Sequence, residues 1–261
     1  PRHFASGVLR ILGIECDVDR FQLDHREVRP GAFRPGVEDI SHGEAAKDPR
    51  LDRELAEIRR ANEGKKIFLA VDRLDYTKGV SRRLLAFEKF LEQRPKGADK
   101  AVLIQVAVPS RSAVPAYQSF RRQVDELVGR VNGRFSTPSH QPVHHIARGF
   151  DQTELLALYR AADVMVVTPL RDGMNLVAKE YVASRVQESG AVVLSEFTGA
   201  AQQLTDAFIV NPYDIEQFAN AIRYAVEMDR TERQTRMERM RRAIAENNVY
   251  RWAANFLSEL A

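Results

Sequence analysis

The sequence has almost no cysteine. Cys16 stands alone among 261 residues, which excludes an internal disulfide and any cysteine-based zinc cluster. Long hydrophobic runs are missing too: nothing approaches transmembrane length, and no signal peptide opens the chain. The expected compartment is the cytoplasm, with no membrane partner. Charge of one sign is not in excess. The net charge of +3 is too near balance to argue for nucleic acid, so any electropositive site must come from local placement. There is no internal repeat, no low-complexity tract and no initiator Met. Pro1 falls inside a helical pattern, so the expectation is a piece of a longer protein. What is there is 44% hydrophobic and 29% charged, ordinary for a chain that builds a core. The length suits one α/β domain with an appendage, or two small domains.

Phe4, Val8, Ile11 and Leu12 recur at helical spacing and predict a helix over residues 1–14. Pro30, Gly31, Pro35 and Gly36 make residues 26–40 an extended connection and the best domain boundary. Residues 44–63 are charged and helical, with Leu51, Leu55 and Ile58 as a thin apolar stripe.

From Lys66 strands and helices alternate. Strands are predicted at Ile67–Val71, Val102–Val108, Val143–Ala147, Val164–Val167, Ala191–Ser195 and Ala207–Val210. Between them run helical stripes such as Val80, Leu84, Phe87 and Leu91, with Pro95 just beyond. Val114, Tyr117, Val124, Leu127 and Val131 form a second stripe, and Leu155, Leu158, Tyr159 and Ala162 a third. Asp151 with Glu154, and Asp214 with Gln217, predict capped helix starts. A short helix is expected from about Gly199. The Arg-rich stretch at 230–242 has acids interleaved and reads as a solvated helix face. Six strands alternating with helices predict an α/β fold with a doubly wound parallel sheet. Ligands bind such sheets outside the carboxyl ends of the strands. That rule selects the loops after Val71, Val108, Ala147 and Thr168.

The chain is organised around residues 163–180. Val164 to Val167 suit a strand buried on both faces. Arg171-Asp172-Gly173 is a polar turn, and a helix follows from Asn175. Unpaired amides and the dipole at a helix start make an anion site. Asp172 before the helix and Glu180 within it can accept hydrogen bonds from sugar hydroxyls. The plain alternative is an Asp that merely caps its helix, but the string RDGMNLVAKE is long and chemically unusual.

The loop after the first strand brings Arg73 and Lys78 to the same sheet edge. A guanidinium forks onto phosphate oxygens and an ammonium adds a point charge. Surface pairing of Arg73 with Asp72 or Asp75 is the competing reading. The loop lacks the glycine pattern of a P-loop or of GxGxxG. After the second strand, Arg111 is a candidate for a second anionic group. After the third, Gly149 permits close backbone approach and Phe150 is either one wall of a base pocket or a core plug. His144 and His145 are adjacent, so on a strand they face opposite ways and share no metal ion. No Ser/His/Asp arrangement and no Cys nucleophile is identifiable.

These residues carry a family resemblance. VDRLDYTKG (71–79), AVPSR (107–111), VGRVNGRF (128–135) and ELLALYRAADVMVVTPLRDGMNLVAKEY (154–181) resemble the C-terminal half of trehalose-6-phosphate synthases. VLSEFTGAAQQL and FIVNPYD, within 193–214, continue the likeness. Those enzymes are retaining glycosyltransferases of the GT-B type, with two Rossmann-like domains facing across a cleft. The resemblance runs from about Arg2 to the end of the chain.

The resemblance implies that Arg73 and Lys78 contact the nucleotide-sugar diphosphate and, with Asp172, form the catalytic set. Asp172 would hold donor glucose hydroxyls. The backbone of Gly173, Met174, Asn175, Leu176 and Val177 would bind phosphate and sugar. Glu180 would take the ribose, the loop from Arg148 to Phe150 the base, and Arg111 the phosphate of glucose 6-phosphate. It further implies front-face attack, with the leaving diphosphate accepting the acceptor's proton, and no metal or other cofactor. The family's Tyr-Leu-Tyr-Arg at the third strand is His145-Ile146-Ala147-Arg148 here, which leaves the base open. RPGVED replaces the family's Pro-Ile-Gly-Ile-Asp in the connection.

Two units are expected. Residues 1–33 would be the last helix of an N-terminal domain with its connection. Residues 34–261 would be the donor-binding domain with a C-terminal crossover helix at about Asn248 to Leu260. The apolar face of that helix, with Trp252 and Phe256, would be exposed or covered by a neighbour: an absent N-terminal domain or a second copy. The expected function is transfer of glucose from UDP-glucose, or a related nucleotide sugar, to glucose 6-phosphate, this chain alone turning over poorly. The rivals are a glucosylglycerol-phosphate synthase, an aminocyclitol-joining relative, and a non-catalytic nucleotide-sugar-binding module or partner subunit.

Overall fold

A computed structural model describes residue 11 and residues 20–23, 25–29, 31–38, 44–93, 100–186 and 189–260. The predicted helix over 1–14 lies, apart from Ile11, outside the described residues, as do Cys16 and Pro95.

A small antiparallel hairpin comes first, β1 (Phe21–Leu23) and β2 (Arg26–Val28). Its turn residue His25 has φ 66°. The breaker-rich segment predicted as an extended connection thus begins inside a hairpin strand, and residues 31–38 carry no regular structure. Two helices follow, α1 (Glu44–Lys47) and α2 (Arg50–Ala61). In α2 Leu51 is buried, and Leu55 and Ile58 pack on the core as the stripe predicts.

The main sheet has six strands: β3 (Lys66–Arg73), β4 (Ala101–Val108), β5 (Val143–Ile146), β6 (Val164–Val167), β7 (Ala191–Ser195) and β8 (Phe208–Val210). Their spatial order is β5-β4-β3-β6-β7-β8, and every pairing is parallel. The helices are α3 (Val80–Gln93), α4 (Pro115–Phe135), α5 (Gln152–Ala161), α6 (Leu176–Ser184), α7 (Ile215–Glu227), α8 (Arg230–Glu246) and α9 (Val249–Leu260). The segment at Gly199–Gln202 is a 3-10 turn.

Side-chain alternation along the strands divides the core. Leu69, Val71, Ile104, Val106, Met165 and Val167 join Tyr159, Tyr181, Met237 and Met240 on one face. Phe68, Ala70, Leu103, Val164 and Val166 join Leu84, Phe87, Val124 and Phe218 on the other. The result is a three-layer, doubly wound, Rossmann-like sheet. Capping acids mark the predicted helix starts: Asp151 completes a capping box with Glu154, and Asp214 accepts from the Gln217 amide.

Chain order reverses between β3 and β6, which makes this the topological switch point. The two strands pair only through Phe68↔Val164 and Leu69↔Met165. Beyond that register β3 runs on to Arg73 against β4 alone, and it is at the carboxyl ends of such a switch point that these sheets place their ligand crevice.

Helix α9 folds back on the connection. The Trp252 indole N–H donates to the Phe33 carbonyl at 3.3 Å, and Phe33 meets Phe256 edge-on at 5.1 Å. The chain itself therefore covers part of the predicted apolar face, while Leu257 and Leu260 remain exposed. Among the described residues no helix is long and apolar enough to cross a membrane.

Candidate active site

The loop after β3 closes in a 3-10 turn at Tyr76–Lys78. Asp75 caps it, accepting from the Thr77 amide at 2.9 Å and its hydroxyl at 2.7 Å. Burial raises the Asp75 pKa, but these bonds, the Tyr117 hydroxyl and the Arg73 charge outweigh it, so the carboxyl stays below its ordinary value. Gly79 ends the turn at φ 69°, and a Cβ there would lie 2.1 Å from the Thr168 carbonyl oxygen. Only glycine lets the β3 loop approach the β6 loop this closely. The two loops are tied again by the Leu170 amide donating to the Thr77 carbonyl at 2.7 Å.

This contact delivers Lys78. Its Nζ lies 2.6 Å from Asp172 Oδ2, and both side chains are largely withdrawn from water. Asp172 does not cap α6. Its carboxylate takes Lys78, the Asn175 side-chain amide at 3.2 Å and the Met174 backbone amide at 3.4 Å. The cap is Asn175, held at φ 67° with its side chain accepting from the Ala178 amide. A non-glycine residue in this conformation is uncommon and marks a constrained turn. The amides of Leu176 and Val177 have no hydrogen-bond acceptor among the described residues. They are the orphan donors of a helix start. A Cβ on Gly173 would meet nothing within 4 Å, so the turn faces open space. Met174 is buried and Leu176 exposed.

Arg83 lies beneath the pair, fully buried on α3. It donates to Asp72 Oδ2 and Gln105 Oε1, each at 2.8 Å, to Thr168 Oγ1 at 3.2 Å, and to the Lys78 carbonyl at 3.3 Å. One guanidinium thus ties β3, β4, the β6 loop and the 3-10 turn together. Burial pushes the Asp72 carboxyl up, against the pull of Arg83. Arg83 was not among the predicted residues. Its signal was a cation three residues after Val80, on the apolar stripe of a helix.

The Arg73 side chain is exposed and makes no hydrogen bond or ion pair among the described residues. The competing reading, a pair with Asp72, fails because Asp72 belongs to Arg83. Asp75 feels the Arg73 charge without being bonded to it. Arg111, at φ 49°, donates to the Tyr117 hydroxyl at 2.9 Å, which donates to Asp75 Oδ2 at 3.1 Å. That relay joins the β4 loop to the Lys78 turn. Glu180 accepts from the Tyr159 hydroxyl at 2.9 Å.

The loop after β5 is different. Arg148 pairs with Glu154 at 3.0 Å and lies 3.9 Å over the Phe150 ring, which packs on the core. Phe150 is thus partly the core plug of the competing reading. Among the described residues no bond ties this loop to Lys78 or Asp172. His144 and His145 hold no metal cluster, and none is formed by any three His, Cys, Asp or Glu among the described residues. Burial lowers the pKa of both histidines. A cavity of 430 Å³ lies away from the crevice, beside Val37, Arg241 and Tyr250.

Fold and site together define a doubly wound α/β domain with cations, a carboxylate and free helix amides at its switch point. The model of glycosyltransferase family 20 matches residues 1–261, and the chain belongs to that family. It is 43% identical over 260 residues to a probable α,α-trehalose-phosphate synthase [UDP-forming] of Arabidopsis thaliana, covering 99% of this chain and 32% of that protein. It is 41% identical to an α,α-trehalose-phosphate synthase [UDP-forming] of Aspergillus niger, covering all of this chain and 54% of that one. The structure of the Burkholderia xenovorans α,α-trehalose-phosphate synthase (UDP-forming) in complex with glucose-6-phosphate superposes with a TM-score of 0.92. That match is 38% identical and spans 99% of this chain and 58% of the other. The chain spans between a third and about half the length of these curated relatives.

Proposed function

We propose that this chain is the donor-binding part of an α,α-trehalose-phosphate synthase. The complete enzyme transfers glucose from UDP-glucose to glucose 6-phosphate with retention, in the cytoplasm and without a metal or other cofactor. The observation that carries this reading is the 2.6 Å contact of Lys78 with Asp172 at the switch point. It sets a cation for phosphate beside a carboxylate for sugar hydroxyls. Arg73 and the amides of Leu176 and Val177 add donors for the diphosphate.

In the proposed reaction the bond from the glucose anomeric carbon to the diphosphate oxygen breaks. The bond from that carbon to the acceptor oxygen forms on the same face, and the acceptor proton passes to the leaving phosphate. Lys78 and Arg73 stabilise the charge that grows on that phosphate. Asp172 orients the glucose, Glu180 the ribose, the Arg148–Phe150 loop the base, and Arg111 the acceptor phosphate. The remaining acceptor contacts belong to a further domain or partner, so this chain alone binds nucleotide and turns over poorly.

Calorimetry with UDP-, GDP- and ADP-glucose tests the reading. One donor should bind the unsubstituted chain and lose affinity with Arg73→Ala. A chain that ignores all three is the degenerate module instead.

A further inference from the structure

Glu180 stands on α6, and one of its oxygens is already taken. The Tyr159 hydroxyl donates to Oε2 at 2.9 Å, and among the described residues the other oxygen accepts no hydrogen bond. Tyr159 comes from α5, is 2% exposed, and packs edge-on against Tyr181 at 6.5 Å. Its position is therefore fixed by the core, independently of any ligand. Burial, and then the neighbouring Glu180 charge, push the phenol far above its ordinary pKa. The hydroxyl keeps its proton and serves as a permanent donor. A carboxylate on a half-buried helix otherwise rotates freely about its last torsion. A side chain that recognises a ligand acts best when a supporting hydrogen bond locks its orientation.

We infer that Tyr159 is a positioning residue for ribose recognition, its hydroxyl fixing the Glu180 carboxylate so that Oε1 is presented to the nucleotide sugar. This rests on the reading of Glu180 as the ribose contact. Tyr159 touches no substrate itself. It sets how sharply the site tells a full ribose from one lacking a hydroxyl.

The test is binding of UDP and its 2′-deoxy and 3′-deoxy analogues to the full-length protein that carries this chain. Tyr159→Phe keeps the ring and removes only the donor. The unsubstituted protein should prefer UDP over at least one analogue. Tyr159→Phe should weaken UDP by about five- to tenfold, leave that analogue nearly unchanged, and so erase the preference. Equal weakening of all three would mean a packing effect and would overturn the inference, as would unchanged UDP binding. Glu180→Gln separates the premise from the inference. If neither the unsubstituted protein nor Glu180→Gln reveals ribose discrimination by Glu180, the ribose reading fails and takes the inference with it. If Glu180→Gln erases the preference and Tyr159→Phe does not, only the Tyr159 inference falls.

Discussion

Lys78 and Asp172 meet at 2.6 Å although 94 residues separate them. The first follows β3 and the second follows β6, the two strands that flank the switch point. Without a ligand each neutralises the other. In the proposed function an anionic ligand would share Lys78 with Asp172 and free carboxylate lone pairs for hydroxyl groups. If the proposed transfer is correct, Lys78→Ala should lower its kcat/KM by roughly 10²–10³-fold, with near-normal folding by circular dichroism. A loss below threefold would remove Lys78 from the catalytic set.

Arg83 should prove the stability determinant of the site. Arg83→Met strands Asp72 in the core without its counter-charge, which costs about 3–5 kcal/mol. Urea unfolding measures this. Adding Asp72→Asn should recover part of the loss, because the stranded charge is then gone.

The two turn glycines should behave oppositely. Gly79→Ala places a Cβ against the Thr168 carbonyl and forces φ 69° on alanine. It should cost at least about 1 kcal/mol and weaken donor binding. Gly173→Ala points into open space and should change stability by less than about 0.5 kcal/mol. It should still weaken nucleotide sugar, if the ligand approaches that backbone.

Lys179 gives a pH dependence. It is buried, its Nζ donates to the Pro35 carbonyl at 2.6 Å, and burial with the Arg34 charge lowers its pKa to about 8. Unfolded, it titrates near its ordinary 10.5. Between those values the unfolded chain holds a proton that the folded chain has released, so raising pH favours folding. Below about pH 8 both states are protonated and the term is constant. Thermal melts of the unsubstituted chain minus those of Lys179→Met should rise from pH 8 to 10. A flat difference would contradict this.

The sheet was legible because β3, β4, β6 and β7 are buried on both faces, and such strands spell continuous apolar runs. The crevice loops were legible because the fold class names the strand ends. Arg83 was not, since a charged residue on a helix reads as surface until its partners at Asp72, Gln105 and Thr168 are brought together. The plain alternative for Asp172, a helix cap, fails for a related reason. Asp172 has the right chemistry to cap α6, but Lys78 claims its carboxylate and Asn175 takes over. Tyr159 read as one more member of an apolar stripe, and its ring is that, while its hydroxyl serves Glu180. The β1–β2 hairpin is short, and breaker residues masked it.

The most direct measurement is a structure of this chain with UDP-glucose bound. The account predicts the diphosphate between Arg73, Lys78 and the amides of Leu176 and Val177, with the glucose hydroxyls on Asp172. A diphosphate bound anywhere else, with the Lys78–Asp172 pair untouched, would contradict it.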